Sequence, residues 1–153
     1  MAKNFHIVFG ILATITICAF FISSIYVEIF SSHEAVARIK SLIVMPGLFI
    51  LVPAIAVTGG SGFFLSKTRQ GRFLELKKRR MPFIAGNGML ILVPCAIYLN
   101  SMASQGIYDS IFYLVQTLEL IAGALNLALM GLNIRDGMKL SGLSRVQHVK
   151  ELG

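Results

Sequence analysis

Four long apolar stretches, separated by short polar ones, organise the chain. They cover about residues 5–27, 41–65, 81–100 and 110–134. The first is interrupted only by His6 and scattered Thr and Ser. The second and third carry no charged residue, and the fourth carries one, Glu119. Each reaches the ~20 residues that cross ~30 Å of hydrocarbon at 1.5 Å per residue. Strands of a membrane barrel would instead alternate in polarity over ~10-residue segments. The pattern predicts an all-α membrane protein. Short connections between neighbours favour an antiparallel up-down bundle of four transmembrane helices. Residues 1–137 form the transmembrane domain, and 138–153 a short tail, mobile or weakly helical at the surface.

Composition strengthens this reading. The chain is 56% hydrophobic and 14% charged, against roughly 45–50% and 25% in soluble domains. That excludes a soluble globular domain, a disordered chain and a disulfide-stapled module. Cys18 and Cys95 lie inside apolar runs and read as small buried hydrophobes. The first stretch, 23 residues long, exceeds the roughly 7–15 of a signal-peptide core. No small-x-small cleavage site follows it, so it reads as a retained helix.

The net charge of +7 changes the picture only once it is placed. Seven of the 14 Lys and Arg residues fall in the loop 66–80. Four more fall from Arg135 to the C-terminus and one at Lys3, leaving Arg38 and Lys40 in the loop 31–40. The positive-inside rule therefore sets both termini and the middle loop in the cytoplasm, most simply of a bacterial inner membrane. Cations gathered beside membrane-length segments serve topology and anionic lipid headgroups rather than nucleic acid. Lys77, Lys78, Arg79 and Arg80 are the candidate headgroup contacts. Their run, QGRFLELKKRR, reads as a short interfacial helix extending into the third span.

The fourth stretch carries the densest polar pattern. Gln116, Glu119, Gly123, Asn126, Met130 and Asn133 follow steps of three and four, which place them on one helix face. A charge near the bilayer centre costs about 2.5–3.5 kcal/mol on insertion scales. The stripe therefore points into the bundle or at a partner, and periodicity alone leaves both open. Asn87, between Gly86 and Gly88, is its candidate neighbour on the third helix. Pro82 suits a first helical turn. Pro46 and Pro53 kink the second helix, and the glycines after Thr58 read as its terminus. His6, at the start of the first helix, is the candidate cofactor ligand. It would act alone or with Met81, Met138 or His148. No zinc-spaced cluster, phosphate cradle or nucleophile elbow is present.

Phe5-His6 opening the first helix, Arg38-x-Lys40 before Pro46-Gly47, and Lys77/Lys78 at the mouth of the third helix resemble the CopD-type and HemJ-type four-helix integral membrane proteins. That group includes a haem-associated protoporphyrinogen oxidase. The resemblance implies His6 as the family's first-helix histidine and Lys77 or Lys78 as its third-helix lysine, with haem or porphyrin as cofactor. The other intramembrane histidines of the haem-binding members have no counterpart here.

Three functions fit these features. The leading expectation is an accessory or assembly bundle without a complete catalytic constellation, whose stripe docks a membrane partner or a second copy. The alternative is a haem-, porphyrin- or quinone-binding redox protein. The third is a small oligomeric proton-coupled transporter in which Glu119 exchanges a proton for a cationic substrate.

Overall fold

In a computed structural model of the chain, residues 2–66 and 72–151 are described, with side-chain surroundings for 4–62 and 80–139. Six α-helices and two π-helical segments make up these residues. They are α1 (Ala2–Phe30), α2 (His33–Leu42), the π segment Ile43–Leu48, α3 (Phe49–Ser66), α4 (Arg72–Asn87), the π segment Gly88–Leu92, α5 (Val93–Ser104) and α6 (Ser110–Glu151). Four helices are long and apolar enough to cross a membrane: Asn4–Phe30, His33–Gly62, Arg80–Ser104 and Ser110–Lys139. Their outward faces are lined by Ile, Leu and Phe side chains, as lipid contact requires.

The second crossing starts earlier than the apolar pattern suggests. Ser32 caps α2 by accepting from the Ala35 amide at 3.4 Å, and Glu34 sits in the first turn. Both favour a helix start there. The expected loop 31–40 shrinks accordingly, and Lys40 enters the helix. Val36, Lys40, Ile43 and Gly47 then share one buried face. Pro46 and the extended Met45 (φ −132°, ψ 113°) break the helical path. The missing proline N–H accounts for the kink. Gly47 makes it compact, since a Cβ there would lie 2.4 Å from Phe20 and 2.9 Å from the Leu42 carbonyl.

Three other local expectations shift. α3 runs through the glycine cluster to Ser66 instead of ending in it. Pro82 lies inside α4, which begins at Arg72, rather than in a first turn. α6 continues past residue 137 to Glu151 without a break. Nothing in that segment removes a backbone donor, and an interior glycine costs only about 1 kcal/mol.

One end of the molecule is closed by two tight connections. The first is the α1–α2 link. The second is the α5–α6 turn, where Ile107 donates to Met102 and Gly106 to Ala103. Gly106 adopts φ 71°, the left-handed position this helix ending favours. Asp109 then caps α6 through the Ile111 and Phe112 amides at 3.1 and 2.9 Å. Val27, Val36, Leu99, Met102 and Phe112 pack together beneath these turns. We call this the hairpin end. A second core, around Ala13, Ile17, Leu51, Ala54, Ile84 and Met130, fills the middle. The opposite end, near His6, Gly62 and Asp136, is the terminal end.

Candidate functional site

The polar face of α6 turns into the molecule. Gln116, Asn126, Asn133 and Asp136 are buried within the single chain. They build three layers, separated along α6 by stretches of apolar core.

The layer nearest the hairpin end holds charge. Lys40, 0% exposed, binds Glu119 through Nζ and Oε2 at 2.5 Å. The same ammonium donates to Ser24 Oγ of α1 at 3.3 Å. Gln116, one turn before Glu119, donates from Nε2 to the same Oε2 at 3.2 Å. A carboxylate only accepts, so the amide must present its nitrogen there, and its Oε1 points elsewhere. Glu28 stands one turn after Ser24 on α1. The charged groups acting on it are Lys40, His33 and Glu119. Lys40 and Glu119 also act on Cys95 of α5. Lys40 is thus paired with one carboxylate, Glu119, while Glu28 lies within its electrostatic reach and forms no ion pair with it.

Among the described residues, three buried side-chain atoms lack a hydrogen-bond partner: Glu28 Oε2, Gln116 Oε1 and Asn133 Oδ1. Two belong to this layer, and both are acceptors. Buried polar atoms are satisfied in the great majority of cases, and a donor-poor cluster is electrostatically incomplete.

A small roof covers the layer. His33 stacks on Tyr108 with ring centres 4.1 Å apart, and the Tyr108 hydroxyl donates to the His33 carbonyl at 2.6 Å. Burial, and next the Glu28 carboxylate, push the Tyr108 phenol above its ordinary pKa, so it stays a donor.

The middle layer is neutral. Asn87 Nδ2 donates to the Ala122 carbonyl at 2.8 Å and to Asn126 Oδ1 at 2.9 Å. Asn126 Nδ2 reaches the Ile84 carbonyl at 3.4 Å. Between this layer and the charged one lies a cavity of about 50 Å³. Ser24 and Glu119 are at its polar edge, and Phe20, Phe21, Gly88 and Gly123 are among its walls. Sites for drug-sized ligands run to roughly 300–1,000 Å³, so this one suits a far smaller guest. The π segment Gly88–Leu92 contributes Gly88 and Leu92 to it, and Ile43–Leu48 contributes Ile43 and Leu48. The single π turn Gly88–Leu92 is of a kind that often marks functional sites.

The third layer, at the terminal end, again holds charge. Asp136 accepts from Arg80 at 2.7 Å and from Arg135 at 3.2 Å. Arg80, expected at the lipid surface, thus turns toward α6. The side chains of Lys77, Lys78 and Arg79 lie outside the described residues. His6 is nearby: its Nδ1–H donates to the Thr58 carbonyl at 3.0 Å, with Ser61 Oγ at 3.3 Å. Met81 and His6 both border Gly62, whose absent side chain leaves them room. His6 therefore meets Met81 across Gly62, apart from the α6 stripe.

The stripe residues Gln116, Glu119, Asn126 and Asn133 and their neighbour Asn87 are readable from spacing. Lys40, Glu28, Ser24 and Asp136 do not stand out as site residues in the sequence, and Arg80 does so only as a headgroup contact. For Lys40 a signal exists, because Val36, Lys40, Ile43 and Gly47 follow steps of three and four. For Glu28 the signal is its four-residue step from Ser24.

Comparisons with protein-family profiles, curated proteins and solved structures return no match for the chain.

Proposed function

We propose that the protein is a small proton-linked membrane carrier whose loading site is the Glu28–Lys40–Glu119 cluster. One observation carries this reading: a fully buried lysine pairs with Glu119 inside the bundle, and among the described residues Gln116 Oε1 beside that pair and Glu28 Oε2 on α1 are left without a hydrogen-bond partner. Three ionised groups would sum to one negative charge in a medium where unbalanced charge is expensive. One proton, or one monovalent cation, restores neutrality. Intramembrane ionisable groups of this kind mark ion and proton pathways by default.

Orientation follows from the basic residues. With Lys40 drawn into the bundle, Arg38 is the remaining Lys or Arg of the segment 31–40, while most of the cations lie toward the terminal end. The positive-inside rule then puts the terminal end in the cytoplasm and the charged cluster toward the outer face, as in a bacterial inner membrane. The cluster loads from outside, and the Asn87–Asn126 layer and Asp136 continue the polar face of α6 inward. We prefer this reading to an accessory bundle docking through α6, because polar side chains of α6 already have partners inside one chain. We prefer it to a haem or quinone protein because the cavity is small and His6 stands apart from it.

The test is proton flux in vesicles holding the purified protein, driven by a potassium diffusion potential and followed with a trapped pH dye. Wild type should acidify the lumen faster than protein-free vesicles, and Glu28→Gln and Glu119→Gln should each abolish the excess. Wild-type flux equal to that of empty vesicles, or flux unaffected by both substitutions, would overturn the proposal.

A further inference from the structure

The terminal end holds an excess of positive charge, and its depth in the bilayer says what can meet it. Arg135 lies about 38 Å from Ser110 along α6, at 1.5 Å per residue. The hydrocarbon core is ~30 Å thick, and ~40–45 Å with the headgroups included. With the hairpin end at one interface, Arg135 reaches the headgroup layer of the other.

There the Asp136 carboxylate, buried to 1% exposure, takes a guanidinium on each oxygen. Its Oδ2 accepts from Arg80 Nη1 at 2.7 Å, and its Oδ1 accepts from Arg135 Nε and Nη2, both at 3.2 Å. One buried carboxylate thus gathers arginines from α4 and α6 about a single point. Each guanidinium has five N–H donors in a planar fork that matches phosphate oxygens. A phosphodiester carries one negative charge, so a single one balances the two arginines and Asp136.

The surface on the membrane side of the arginines is apolar. Phe83, one turn after Arg80 on α4, is 72% exposed, and Ile134 beside Arg135 is exposed as well. Gly131 lies one turn before Arg135 on α6, and a Cβ there would meet nothing within 4 Å. Bare helix backbone therefore faces open space beneath the guanidinium. Anion-binding groups at headgroup depth with hydrocarbon below them follow the order of a phospholipid. A free phosphate would use the upper part alone.

We propose that Arg80 and Arg135, held by Asp136, bind the phosphodiester of one anionic phospholipid whose acyl chain runs past Gly131. This is independent of the carrier reading. Asp136 acts here as a positioning residue, and it separates a built site from general attraction. Removing its charge makes the terminal end more positive, which strengthens lipid binding if charge alone decides it. If the carboxylate holds the two guanidiniums in place, the same change weakens binding.

The experiment is native mass spectrometry of the full chain in mild detergent. Phosphatidylglycerol, phosphatidylcholine with the same acyl chains, and inorganic phosphate are titrated in turn, and thermal melting confirms that each variant is folded. Wild type should take up one phosphatidylglycerol saturably, at least about tenfold tighter than phosphatidylcholine, the equivalent of 1.4 kcal/mol. Inorganic phosphate should not displace it. Asp136→Asn and Arg135→Gln should each remove that preference. Gly131→Leu should weaken phosphatidylglycerol with every charge in place, and Arg38→Gln, an equal loss of charge at the hairpin end, should change nothing. Should Asp136→Asn fail to fold, Arg135→Gln and Gly131→Leu decide the question. Tighter binding by Asp136→Asn, or equal losses in Arg135→Gln and Arg38→Gln, would reduce the effect to bulk charge and overturn the site. Displacement by inorganic phosphate, or wild-type affinity in Gly131→Leu, would overturn the assignment to a lipid.

Discussion

The two charged layers are mirror images in composition and opposites in consequence. Near the hairpin end, Lys40 pairs with Glu119, and Glu28 on α1 is a second carboxylate with no ion pair of its own. At the terminal end, Arg80 and Arg135 share Asp136. Each layer carries one charge in excess. The excess arginine has somewhere to go: Arg135 is 55% exposed, and a long cationic side chain reaches water or headgroups at the edge of a membrane. Glu28 has a shorter stem, and its Oε2 is buried without a partner. The same imbalance is therefore relieved by solvation at one end and left standing at the other. Excess charge becomes a candidate for function only where the chain cannot solvate it.

Four substitutions would break or sharpen that contrast. Lys40→Met should be the most damaging, because it leaves the Glu119 carboxylate inside the bundle without its cation. Removing one member of a buried ion pair typically costs about 3–5 kcal/mol. Unfolding in mixed micelles measures it, and adding Glu119→Leu to the same chain should recover much of the loss. Asp136→Asn should cost less, about 1–3 kcal/mol, since both arginines have a route toward solvent. A loss as large as that of Lys40→Met would erase the distinction between the ends.

Asn126→Leu tests the neutral layer between them. It removes the Asn87–Asn126 bond, and bonds of this type in membrane helices average about 0.6 kcal/mol and reach about 1.7. An intermediate shift in the same unfolding assay is expected. Arg135→Gln should be the mildest, within about 0.5 kcal/mol, as for other exposed ion pairs. A larger effect would mean that Arg135 is held rather than solvated.

Legibility in the sequence differs between helix and site. The four crossings are legible because an uncharged apolar run of membrane length has no stable place in water. The inward stripe of α6 is legible in part, since Gln116, Glu119, Asn126 and Asn133 stand alone in an apolar background. Their partners are hidden by position. Glu28 and Lys40 sit at the margins of apolar runs, where charged residues ordinarily mark the water boundary. Ser32 moves that boundary by starting α2 at His33, which carries Lys40 inward. The pairing of Lys40 with Glu119 joins residues 79 positions apart, and no local pattern encodes such a distance. Arg80 is misplaced for a related reason: its basic run reads as a unit, whereas the last member belongs to Asp136. Helix continuity is underestimated at Thr58–Gly62 and beyond residue 137, because glycine lowers helix stability without forbidding it.

The central claim is that Glu28, Lys40 and Glu119 together hold one additional positive charge, which is a proton when no other cation is supplied. Infrared difference spectroscopy reads this directly, by comparing wild type with Glu28→Gln and with Glu119→Gln in amine-free, sodium-free detergent solution at neutral pH. The account predicts one protonated-carboxyl C=O band in the wild type, assigned by its shift in heavy water and lost or moved in both variants. A wild-type spectrum in which both glutamates show only carboxylate bands would contradict it.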